Sequence, residues 1–84
     1  GNKTNLVRMN MFIPKETSIP AKLNIIKILK EQFNFSLKQT KEYVDSCIGK
    51  FSILPNIILQ TEVDEIAEKL SSYDISIYTI GAYQ

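Results

Sequence analysis

The chain has 84 residues, enough for one small domain whose core needs neither disulfides nor metal. Its hydrophobic content of 44% and charged content of 23% are those of an ordinary globular protein, which excludes a low-complexity or fibrous chain. A net charge of +1 gives no global pull toward nucleic acid or a membrane surface, and no apolar run approaches the roughly 20 residues that span a bilayer.

No signal-peptide pattern opens the chain. It starts on Gly1 rather than Met, which implies that something preceded it: a tag, a signal segment or another domain. Residues 1–4 are expected to be disordered or a tag remnant, and the whole chain to form a single domain. From Asn5 to Ile13, Val7, Met9, Met11 and Ile13 alternate with Arg8, Asn10 and Phe12, the period of a strand. Pro14 ends it, because proline cannot donate to a ladder. Lys15 to Ile19 reads as a loop in which Ser18 or Thr17 caps the next helix, and Pro20 fits a first turn that needs no amide donor.

Two amphipathic helices follow, from about Ala21 to Phe33 and from about Leu37 to Cys47. Asn34 can take the left-handed conformation that closes the first. Ser36 caps the second, and Gln39 three residues on predicts a capping box. Helices this close in sequence pack as a hairpin. Leu37, Thr40, Tyr43, Val44 and Cys47 share a face by their spacing, with Val44 and Cys47 as core, and Gly49 stops the helix.

Phe51 to Leu59, FSILPNIIL, is apolar but interrupted by Pro55. That predicts a short strand on either side of the proline, at an edge or bulge. Thr61 with Asp64 resembles another capping box, and Val63, Ile66, Ala67, Leu70 and Tyr73 form the cleanest amphipathic stripe in the chain. Ile75 to Ile80 alternates again, with Ile75 and Ile77 facing away from Ser76 and Tyr78. The order is strand, helix, helix, strand, helix, strand. Short connections favour an α+β two-layer sandwich, with three helices on one face of a small antiparallel sheet.

Charge is segregated along this order. Lys22 to Lys41 carries five lysines against Glu31 alone, whereas Thr61 to Asp74 carries five acids against Lys69 alone. At about 100° per residue, Ile25, Ile28 and Leu29 share one side of the first helix, and Lys22, Ile26, Lys27 and Lys30 are assigned to the other. This places Ile26 in the open among lysines, with Leu37, Lys38 and Lys41 continuing the face on the second helix. Lysines are also the usual occupants of a solvated helix face, and an isolated exposed isoleucine needs no explanation.

The stretch KLNIIKILKEQFNFSLKQTKEYVD resembles the helical hairpin in the C-terminal domain of the bacterial ribosomal stalk protein. Lys22, Ile26, Lys27, Lys30, Leu37, Lys38 and Lys41 fall at matching positions of that family's motif. The glycines of its turn are replaced by Asn34 and Ser36, its glutamate by Gln39 and its alanine by Thr40. The family is acidic overall, and this chain is not. The likeness extends from about Asn5 to Ile80, strongest in the hairpin and weakest at the middle strand, which is a few residues longer here. The stalk family's hinge and dimerisation helices are not part of this sequence. The resemblance implies the same strand and helix order and a cytoplasmic, ribosome-associated protein. It also implies that those seven residues contact a partner such as a translational GTPase.

No residue pattern points to catalysis. Histidine is absent, which removes the commonest general base and the commonest metal ligand. Cys47, the single cysteine, lies on an apolar helix side with no basic neighbour; it excludes an internal disulfide and reads as inert core. The three glycines lie far apart, so no phosphate-binding loop exists. The sequence thus predicts a non-enzymatic binding module with no cofactor and no metal. Two other readings stand beside the stalk-like one. The Clp protease adaptor family shares the fold, but its Asn-Asp pair and histidine are replaced here by PKETS and by no histidine. RNA binding through the lysine face lacks arginines and a Gly-x-x-Gly loop, leaving only Phe33, Phe35 and Tyr43 to stack. No heptad seam is sustained, so the isolated domain is expected to be monomeric.

Overall fold

In the computed structural model, residues 5–82 are described; the expectation for residues 1–4 lies outside them. The elements are β1 (Leu6–Phe12), α1 (Ile19–Phe33), α2 (Leu37–Ser46), β2 (Ser52–Ile53), β3 (Ile58–Leu59), α3 (Gln60–Lys69) and β4 (Ser76–Gly81). They form the expected α+β two-layer sandwich, with all strand pairs in the sheet antiparallel.

β1 is the central strand. β4 pairs with it along Val7–Phe12 on one side. On the other side β3 pairs with Leu6 and Val7, and β2 with Asn10 and Met11. β2 and β3 are therefore two halves of one edge row. Three steps along β1, Val7 to Asn10, face five from Ile53 to Ile58, so the row holds two surplus residues. Pro55 sits in that surplus, where its missing amide breaks no ladder bond. The amide of Leu54 still reaches the Met9 carbonyl at 2.8 Å.

The alternation of β1 sends Val7, Met9, Met11 and Ile13 into the core beneath the helices. Ile13 falls just past the strand, where its amide donates to the Cys47 carbonyl (2.9 Å) and its carbonyl accepts from the Gly49 amide (2.8 Å). Those bonds tie the end of α2 to the end of β1. Gly49 makes the connection with φ 75°, a left-handed conformation suited to glycine.

Ser18 caps α1 by accepting from the Ala21 amide (3.2 Å), and Asn34 ends it at φ 56° as expected. Ser36 caps α2 by accepting from the Gln39 amide (3.1 Å). The reciprocal half of that capping box, from the Ser36 amide to Gln39 Oε1, does not form; the Gln39 side chain is turned to donate to Asn56 Oδ1 (3.1 Å). The expected Thr61–Asp64 box is also replaced. α3 begins at Gln60, one residue before Thr61, and Glu62 accepts from the Leu59 amide (3.0 Å). Of the α3 stripe, Val63, Ile66 and Leu70 are buried, Tyr73 is half-buried beyond the helix end, and Ala67 is exposed.

Candidate functional site

α1 lies between the other two helices, packing on α2 at one side and α3 at the other. Gln32 fastens the α3 side, donating to Glu65 (2.8 Å) and accepting from the Lys69 ammonium (2.7 Å). A helix flanked on both sides buries a wider arc than one at the margin of a layer. The buried arc of α1 runs from Ile25 through Leu29 to Ile26, with Ile28 half-buried beside it.

This corrects the expectation for Ile26. It is only 8% exposed and belongs to the core, so it is not the apolar centre of an open face. A stripe of Ile25, Ile28 and Leu29 alone is centred near Ile25, whereas packing on α2 turns the buried centre toward Leu29. Ile26 lies only about 60° from Leu29 around the helix axis. Lys22 is half-buried, while Lys27, Lys30, Lys38 and Lys41 are exposed as expected. Leu37 is 52% exposed.

Another residue takes the position assigned to Ile26. Leu23 is 58% exposed, one turn from the exposed Ile19 and one turn before Lys27. At about 100° per residue it lies farther from the Ile25–Ile28–Leu29 stripe than Ile26 does, a signal present in the sequence itself. The hairpin thus carries Ile19 and Leu23 beside Lys22, Lys27 and Lys30 on α1, and Leu37 beside Lys38 and Lys41 on α2. On α2 a shallow concavity is lined by Leu37, Lys38, Lys41, Glu42 and Asp45. Each α2 lysine has an acid four residues on, so the denser positive charge is on α1.

A separate cleft of about 230 Å³ runs between α2 and the β2 edge. Its polar groups bond to one another. The Tyr43 hydroxyl donates to the Ser52 carbonyl (2.9 Å), and the Ser46 hydroxyl donates to Ser52 Oγ (2.8 Å). Beneath it lies Cys47, fully buried. Burial pushes its thiol from an ordinary 9.0 up to about 11, although the nearby Tyr43 and Ser46 hydroxyls act the other way. Burial, with Cys47 alongside, also raises the Tyr43 hydroxyl well above its usual range. A thiol this reluctant to ionise is a poor nucleophile near neutrality. Among the described residues, no three His, Cys, Asp or Glu side chains gather into a metal-binding group. No helix there is long and apolar enough to cross a membrane.

The buried thiol has a measurable consequence. The folded state holds the Cys47 proton more tightly than the unfolded chain, so stability is intact below about pH 9. It then falls as pH rises through about 11, by roughly 2–3 kcal/mol for this group. Tyr43 adds to the loss in the same direction at higher pH. Urea midpoints measured from neutral pH to about pH 11 should fall, and Cys47→Ala should flatten the first part of that fall. Equal slopes in both proteins would place the thiol outside the core.

Comparison with family models, with curated proteins and with solved structures finds no match to this chain.

Proposed function

We propose that this domain is a non-catalytic protein-binding module that docks through the outer side of the α1–α2 hairpin. The observation that carries the reading is the exposure of Leu23 and Leu37 among Lys22, Lys27, Lys30, Lys38 and Lys41. Exposed leucines inside a cationic border suit an acidic partner surface with an apolar centre. The cations steer the encounter and the leucines slow separation. Ile26 supports the face from below without touching the partner. The resemblance of the hairpin to the ribosomal stalk family makes a bacterial translational GTPase the first candidate partner.

Association kinetics with that GTPase test the reading. Reversing Lys27 and Lys30 to Glu should slow association on the order of tenfold at low salt. The loss should shrink as salt rises, because exposed charges are screened beyond about 10 Å at 0.1 M. Folding should survive, since both side chains are exposed. Leu23→Ala or Leu37→Ala should instead speed dissociation with weaker salt dependence. Binding indifferent to all four changes, or no binding at all, removes the GTPase reading. Tight single-stranded RNA binding in its place would favour the nucleic-acid alternative.

A further inference from the structure

The helices cover one face of the sheet, and no described element covers the other. Register identifies its occupants. Arg8 stands opposite Ile80, Asn10 between Tyr78 and Ile53, Phe12 opposite Ser76, and Leu6 opposite Leu59. Phe51 joins them, its ring centroid 5.4 Å from that of Phe12 and 5.1 Å from that of Tyr78. Leu6, Phe51, Ile53, Tyr78 and Ile80 are each exposed by a third to a half. Single exposed apolar residues need no explanation, but a contiguous set on one sheet face marks an interaction surface.

A second, independent observation lies in the middle of this face. Asn10 is 3% exposed, and its side-chain Nδ2 has no hydrogen-bond partner among the described residues. A buried amide left unpaired destabilises the fold, so it calls for an explanation at that position. Its neighbours on the face, Tyr78 and Ile53, are themselves about half exposed and free to shift aside.

We propose that this face is the dimer interface of the domain, its occupant a second copy packed sheet to sheet. Three features make the surface self-complementary. First, among the described residues the face has one cation, Arg8, and no acid, and the Phe12 and Phe51 rings lie toward the other end of β1. Arg8 and Phe12 each stand about 7 Å of strand from Asn10, on opposite sides. A two-fold axis between the faces, perpendicular to β1 and passing over Asn10, sets the two central strands antiparallel. Arg8 of each copy then meets the ring cluster of the other, a cation–π contact made twice. Second, an amide is donor and acceptor at once. The two Asn10 side chains, brought together at the axis, can pair reciprocally once Tyr78 turns aside. Third, burial of Ile53, Tyr78 and Ile80 supplies the apolar contribution. A three-row sheet offers a contact at the low end of stable interface sizes, so the dimer is a weak one in the micromolar range.

The expectation of a monomer rests on the absence of a helical seam and does not address the sheet. In this dimer the helix layers point outward, and both hairpins remain open. A partner with two sites would then be held by both at once. The inference does not depend on the hairpin reading, since the two surfaces lie on opposite sides of the domain.

Sedimentation velocity of the isolated chain, from low micromolar to millimolar concentration, tests it. The wild type should shift from monomer to dimer across that range. Tyr78→Lys and Ile53→Lys each set a second cation on the face beside Arg8. Each should lower the self-association constant at least roughly tenfold. The circular dichroism spectrum at low concentration should be unchanged, because both side chains are half exposed. A second measurement avoids reliance on the variants. On dilution of the wild type, amide chemical-shift changes should cluster at residues 6–12, 51–53 and 76–81. A wild type that stays monomeric at millimolar concentration overturns the proposal. So does a dimer that survives both folded variants, or shift changes confined to α1 and α2.

Discussion

Ile66→Ala is expected to lower the unfolding free energy by about 2–5 kcal/mol, the range for removing a large aliphatic side chain from a packed core. Ile66 is fully buried at the centre of the α3 stripe, between Val63 and Leu70. α3 contributes to the core from this stripe, packing against α1, β1 and β3. Truncation therefore leaves a cavity where three elements meet, and a rigid α-helix cannot collapse into it without losing its other contacts. A domain has only about 5–15 kcal/mol of stability in total, so the variant should be close to unfolding at physiological temperature. Urea denaturation with an unchanged m-value and a lowered midpoint is the expected record. An unchanged midpoint would mean that α3 presents a different side to the sheet.

The second large effect is that of Ile26→Ala, with Leu23→Ala as its partner. Both lie on α1, and both changes trim an aliphatic side chain to a methyl group. Helix propensity and chain entropy therefore contribute similarly to the two. Burial separates them. Ile26 lies inside the arc that faces the core and α2, and its truncation should cost about 2 kcal/mol or more. Leu23 lies outside that arc, and its loss should cost under about 1 kcal/mol. Effects on binding should run the other way, with Leu23→Ala impairing partner affinity while the fold persists. If Leu23→Ala costs as much stability as Ile26→Ala, α1 is rotated from the position described, and the docking surface must be redrawn around Ile26.

Much of the local structure was legible because it is determined within a few residues. Ser18 and Ser36 cap their helices because a hydroxyl can reach an amide three residues ahead. Asn34 turns left-handed between two helices. Pro55 splits the middle strand, since no alternative contact restores its missing donor. The errors also have local addresses. The Gln39 side chain had two partners within reach, the Ser36 amide for its Oε1 and Asn56 Oδ1 for its Nε2, and only the bond to Asn56 forms once the chain has folded. α3 starts at Gln60 rather than after a Thr61 cap because Glu62 accepts from the Leu59 amide directly at the end of β3.

The sequence by itself determined the alternating strands, the three amphipathic helices, their order and the lysine-bearing hairpin. Each depends on spacing along a short segment, where side-chain direction follows from the backbone period. Tertiary structure alone decided three things. It set the rotation of α1, which buries Ile26 because α2 and α3 flank it. It set the two-residue surplus in the edge row, which appears only when β2 and β3 are laid against the same strand. And it left one sheet face uncovered by any described element, with Asn10 buried at its centre and its Nδ2 without a partner among the described residues. Apolar residues stand on both sides of β1, so alternation alone does not say which set the helices cover. Burial is a relation between surfaces brought together from distant parts of the chain, and no window of local sequence contains both partners.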